Sequence, residues 1–110
     1  MFEISVSRRF KATHHIKGLE DRHEHTWQIR AIARSSRLNQ FGISIDFKEL
    51  GSMLEKITKE LDGSDLNKFI KPPSSENIAR AIFERLKPEL PELIAVEVIE
   101  GDYGSVEFRP

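Results

Sequence analysis

The chain has 110 residues, 38% of them hydrophobic, a net charge of −1 from 17 Lys and Arg against 18 Asp and Glu, and no cysteine. That length supports one domain, residues 1–110, around one core, and the even charge balance argues against nucleic acid or an anionic membrane as partner. The missing cysteines exclude disulfides, thiolate metal ligands and a thiol nucleophile. No apolar run approaches the ~20 residues of a membrane span, and the N-terminal residues lack a signal-peptide pattern, so a cytoplasmic protein is expected.

Phe2, Ile4 and Val6 alternate with Glu3, Ser5 and Ser7, which is the period of a half-buried strand. Trp27, Ile29, Ala31 and Ala33 repeat that period and predict a second strand. At Asp46 the spacing changes: Phe47, Leu50, Met53, Leu54, Ile57 and Leu61 recur at three and four residue steps, and Asp46 with Glu49 has the spacing of a capping box. Lys71-Pro72-Pro73 breaks the chain, Ser74 and Ser75 offer caps, and Ile78, Ile82, Phe83 and Leu86 predict a second amphipathic helix ending before Pro88. Ile94, Val96 and Val98 return to strand period, Gly101-Asp102 supplies a turn, and Tyr103 to Phe108 gives a fourth strand.

This order predicts an α+β layer, a four-stranded antiparallel sheet with both helices on one face. Two sheet edges and one face stay uncovered, so a symmetric homo-oligomer closing into a barrel is expected; a monomer with charged edges is the alternative.

All four histidines fall between His14 and His25. In a strand, residues two apart share a face, so His23 and His25 could grip one ion while His14 or His15 reaches in from a neighbouring strand. Three imidazoles with an open fourth position describe a catalytic zinc site; the same H-x-H pattern also describes solvated surface histidines.

Six segments, taken together, resemble the 6-pyruvoyl-tetrahydropterin synthase and 6-carboxy-tetrahydropterin synthase family. Phe10-Lys11-Ala12-Thr13-His14 resembles its F-x-A-x-H, and His23-Glu24-His25 its H-G-H. Gly42 to Phe47 is similar to G-x-V-x-D-F, Leu61 to Asn67 to L-D-H-x-x-L-N, and Pro73 to Ala79 to P-T-x-E-N-x-A. Val96 to Glu100 resembles the strand that ends in a pterin-anchoring glutamate. The resemblance implies the T-fold, β-β-α-α-β-β, assembling into barrels that are commonly hexamers. It also implies His14, His23 and His25 as Zn²⁺ ligands, Glu100 as acceptor for the pterin's 2-amino and N3 edge, and Ser74, Ser75 and Glu76 as pocket residues. His15 directly follows His14, so in a strand it would face away from that metal and is read as non-ligating. Without the resemblance, Glu100 reads as a solvated strand end and the serines as helix caps.

In the family, zinc polarises the side-chain oxygens of a dihydropterin while a cysteine thiolate, with an Asp and a His, moves the proton on the adjacent carbon. This chain departs from that pattern three times. Leu19, Glu20, Asp21 and Arg22 stand where the cysteine belongs, in a shortened loop; Gly63 replaces the histidine, leaving Asp62; and Glu24 replaces the central glycine of H-G-H. One reading is a zinc lyase on a dihydroneopterin-type substrate, with Glu20, or Asp21, as carboxylate base and Asp62 retained. A second is a homologue that binds zinc and a pterin or purine without turnover. A third is a scaffold whose histidines hold no metal. The pathway served, tetrahydropterin, folate-like or deazaguanine (queuosine) synthesis, stays open at this level.

Overall fold

The long hairpin that opens the chain sets the architecture. In the computed structural model, which describes residues 1–110, β1 (Phe2–Ile16) and β2 (Glu20–Ser35) pair antiparallel from Phe2↔Ser35 to His14↔His23. Lys17-Gly18-Leu19 closes the hairpin, with Gly18 at φ 83°, a left-handed turn that favours glycine. Both strands run further than the apolar alternation predicts. On β1 the alternation is interrupted by Arg8, which occupies a core-face position because its guanidinium lies against Gly51, where a Cβ would overlap it.

Helix α1 (Phe47–Leu61) starts at Asp46, whose carboxylate accepts the Lys48 N–H, and buries Leu50, Leu54, Ile57 and Leu61. A two-residue strand, β3 (Ser64–Asp65), then pairs parallel to β1, and a 3₁₀ turn over Leu66–Lys68 follows. Helix α2 (Ser75–Leu86) is capped by Ser74, which accepts the Asn77 N–H. Strands β4 (Leu93–Glu100) and β5 (Gly104–Phe108) complete the sheet.

The sheet order is β3-β1-β2-β4-β5, so the structure has five strands where four were expected. β3 escapes the sequence pattern because two residues cannot display a period. The α+β expectation otherwise holds: α1 lies on β1, and α2 lies on β4 and β5. Between helices and sheet sits a single apolar core that includes Trp27, Ile29, Leu54, Ile78, Leu86, Val96 and Val98, all inaccessible to solvent. The opposite face is polar, with Arg30 bonded to Glu97 at 2.9 Å and facing Glu107 at 3.9 Å. No helix is long and apolar enough to cross a membrane.

Replacing Leu54 by Ala should cost ~2–5 kcal/mol of stability through lost burial and a residual cavity. The exposed neighbour Glu55→Ala should stay within about 0.5 kcal/mol. Urea unfolding of the two variants checks this, and equal effects would contradict the core assignment.

Candidate metal centre

His14 and His23 face each other as cross-strand partners, and His25 stands two residues along β2, opposite Ala12. Partners across a ladder and residues two apart share a face, so all three imidazoles turn to the core side. Their ring centroids lie 4.2 to 5.5 Å apart, and the Nε2 atoms of His14 and His23 are 3.1 Å from each other. Trp27 forms the floor, meeting His14 and His25 edge-on at 4.9 and 5.7 Å, while its indole N–H donates to the Ala12 carbonyl.

Two carbonyls fix the tautomers. His14 Nδ1 lies 2.9 Å from the Pro73 carbonyl and His23 Nδ1 2.6 Å from the Asp21 carbonyl. A carbonyl oxygen only accepts, so each Nδ1 carries the proton and each neutral ring presents an Nε2 lone pair. Two lone pairs then face each other at 3.1 Å, and a cation between them turns that repulsion into attraction. The spacing approaches the ~3.3 Å edge of a tetrahedron with Zn–N bonds of about 2.0–2.1 Å. His14 is almost fully buried; His25 has its pKa lowered by burial, opposed by Glu100 and reinforced by His23 and His14, which favours its neutral form.

Glu20 reaches this centre through a bulge. From His14↔His23 to Ile16↔Glu20 the register takes two steps along β1 against three along β2. The extra residue re-aims the strand, so that Glu20 shares the face of Ile16 and His14. Its Oε2 lies 3.5 Å from His14 Nε2 and 3.6 Å from His23 Nε2. The same bulge frees the Asp21 carbonyl that His23 uses.

Glu100, at the end of β4, completes the cluster. Its Oε2 is 3.1 Å from His25 Nε2 and 3.8 Å from His14 Nε2, and its Oε1 accepts from the Ser75 hydroxyl at 3.0 Å. One donor atom each from His14, His23, His25 and Glu100 lies within 4.8 Å of the others, a set that can hold a divalent cation. In front lies a cavity of about 600 Å³ lined by Glu20, Asp21, Arg22, His23, His25, Ser75, Glu76, Glu100 and Tyr103 with the start of β5. Tyr103, largely exposed, sits edge-on to His25 at 5.1 Å.

Other candidate residues lie elsewhere. His15 lies outside the cluster: its Nε2 is 3.4 Å from the Asn67 amide nitrogen, and Asn67 also accepts its backbone N–H and donates to its carbonyl. Asp62 accepts the Lys11 N–H at 2.8 Å, and the Gly63 N–H donates to the Lys11 carbonyl; neither residue lines the cavity. Ser74 caps α2 and is not in the lining, whereas Ser75 and Glu76 are. Glu24 opens instead on a second cavity with Arg9 and Gln28. The sequence reading missed the Pro73 and Asp21 carbonyls, Trp27 as floor, and Tyr103 and Arg22 in the lining. Only the shortened His14 to His23 spacing hinted at the bulge.

Comparison with known proteins adds the family context. The family model described as 6-pyruvoyl tetrahydropterin synthase matches residues 3–110. A dihydroneopterin monophosphate aldolase of Pyrococcus furiosus is 33% identical over 105 residues, covering 91% of this chain and 90% of that protein. The structure of Caenorhabditis elegans 6-pyruvoyl tetrahydropterin synthase superimposes with a TM-score of 0.84 at 19% identity, covering 99% of this chain and 95% of the other. A Plasmodium vivax 6-pyruvoyltetrahydropterin synthase, a catalytic-residue mutant with a glutamate replaced by alanine, has a TM-score of 0.72 at 17% identity, covering 99% and 97%.

Protein purified without chelator or histidine tag should carry about one zinc per chain by elemental analysis, and His14→Ala should lose most of it, since two imidazoles make a much poorer site than three. Unchanged occupancy in that variant would remove His14 from the centre. The lowered His25 pKa means the unfolded chain binds that proton more readily than the folded one, so metal-free protein should lose stability as pH falls through the imidazole range and regain it as pH rises. Urea unfolding of chelated protein from about pH 7.5 to about pH 5.5 measures this, and His25→Gln should flatten part of the slope.

Proposed function

The chain belongs to the 6-pyruvoyl tetrahydropterin synthase family, and we propose that it is a zinc-dependent lyase cleaving the side chain of dihydroneopterin monophosphate by a retro-aldol reaction. The observation that carries this reading is the Glu20 carboxylate, 3.5 and 3.6 Å from the Nε2 atoms of His14 and His23 in a chain without cysteine. The Pyrococcus furiosus relative suggests the substrate and reaction class, and the Plasmodium vivax protein offers a parallel for a catalytic glutamate.

His14, His23 and His25 would hold Zn²⁺, which when bound polarises side-chain hydroxyls and lowers their pKa. Three imidazoles leave Glu100 for the substrate ring. With Oε1 held by Ser75, its carboxylate is a fixed acceptor for the paired N–H groups of the pterin's amidine-like edge. Glu20 then takes the proton of the 2′-hydroxyl as the C1′–C2′ bond breaks, and the bonding pair moves through C6 to N5 of the dihydropterin. Return of that proton from Glu20 to C1′ gives a hydroxymethyl-dihydropterin, and the remaining two carbons leave as a phosphorylated aldehyde. One proton is taken and one returned, so no external oxidant or reductant is needed. Asp62, bonded to the Lys11 N–H outside the cavity, has no part in these steps within one chain. The uncovered sheet face and the edges at β3 and β5 favour a symmetric homo-oligomer, hexameric by analogy with the family; a monomer mass by light scattering would remove that part.

Incubation of the zinc form with dihydroneopterin monophosphate should yield hydroxymethyl-dihydropterin by chromatography. Tight binding without product would favour the alternative that the loss of the family's histidine at Gly63 suggests, a homologue that binds zinc and a pterin without turnover. Glu20→Gln should cut kcat about 10²-fold or more while keeping the metal. Glu100→Gln should keep zinc but weaken pterin binding; loss of zinc there would make Glu100 a ligand instead.

A further inference from the structure

Resting on the reaction just proposed, we infer that Arg22 is the residue that reads the substrate's phosphate and limits it to a single one. The cavity in front of the imidazoles is lined by four carboxylates, those of Glu20, Asp21, Glu76 and Glu100, and Arg22 is its one Lys or Arg. Away from the metal ligands, an anionic substrate entering such a lining meets one cationic side chain, Arg22.

Arg22 is placed for this by the bulge that aims Glu20. It lies between Asp21, whose carbonyl holds His23, and His23 itself, and Glu20 is two residues away. The phosphate of dihydroneopterin monophosphate is separated from the 2′-carbon only by a methylene and an ester oxygen, so a base acting on the 2′-hydroxyl requires a phosphate contact close by. The guanidinium is loosely tethered: Nη1 lies 3.8 Å from Asp65 Oδ2, and the side chain is 64% exposed. An exposed pair at that distance is a weak competitor for a phosphate, with which a guanidinium forms two parallel charge-assisted bonds.

The same charge count sets an upper limit on phosphates. A triphosphate would carry two further anionic groups past one guanidinium, and apart from the metal, which the side-chain hydroxyls occupy in the proposed reaction, the lining offers four carboxylates and no second Lys or Arg. Like-charge juxtaposition of this kind rejects a ligand that otherwise fits. Arg22 is therefore a specificity residue that selects the monophosphate against both the unphosphorylated compound and the triphosphate.

The test uses the oxidised, non-cleaved ligands neopterin, neopterin monophosphate and neopterin triphosphate, titrated by pterin fluorescence into the zinc-loaded protein, so that binding is read apart from turnover. The wild-type protein should bind the monophosphate more tightly than either of the others. Arg22→Gln should weaken the monophosphate about 10-fold or more, leave neopterin unchanged, and so erase the preference; Arg22→Lys should restore part of it. Equal weakening of neopterin and its monophosphate in Arg22→Gln, or tighter wild-type binding of the triphosphate, overturns the assignment. A phosphate preference that depends on Arg22 without cleavage of dihydroneopterin monophosphate would defeat the proposed reaction and leave this assignment standing.

Discussion

Two neutral imidazoles that each donate an Nδ1–H to a carbonyl oxygen have no N–H left to place between their Nε2 atoms. His14 is committed in this way to Pro73 and His23 to Asp21, and their Nε2 atoms nonetheless face each other at 3.1 Å. In a half-buried site over an apolar indole, that arrangement is unfavourable until a positive charge sits between the lone pairs. The hairpin register holds it in place, because His14↔His23 is one rung of a ladder that runs to Phe2↔Ser35. The cation proposed for this site would be held by groups that the hairpin register and two backbone carbonyls position.

The other half of the site comes from residues that also begin or end secondary structure. Pro73 breaks the chain before α2 and offers its carbonyl to His14; Ser74 caps the helix; Ser75, the first helical residue, holds Glu100 at the end of β4. Seating α2 on the sheet thus fixes one imidazole and one carboxylate together. Fold and site are coupled here, since the apolar stripe that docks α2 also determines where the Pro73 carbonyl and the Ser75 hydroxyl stand.

Periodicity made the helices and the order of the four main strands legible in the sequence, because Leu50, Leu54, Ile57 and Leu61, or Trp27, Ile29 and Ala31, bury one face of a regular element. Strand lengths were not legible. Arg8 sits at a core-face position of β1 and reads as polar until Gly51 of α1 is seen to leave room for it. β3 was too short to carry a period; its two residues pair with Ala12 and Thr13, next to the bonds that Asp62 and Gly63 make to Lys11. The three histidines that converge were readable from spacing and family resemblance. The acceptors that set their tautomers were not, since backbone carbonyls have no side-chain signature. Glu20 was a candidate by position alone, and strict alternation from His23 would have favoured Asp21; the bulge, a local departure from period two, reverses that choice.

The proposed zinc between three imidazoles is the claim on which the pterin chemistry, the role of Glu20 and the phosphate reading by Arg22 depend. X-ray absorption at the zinc edge of the purified protein tests it most directly. Three imidazole nitrogens at about 2.0–2.1 Å, with one further light-atom position that changes when neopterin is added, is the expected result. A zinc shell made only of oxygen ligands, or one with a single imidazole, would contradict it.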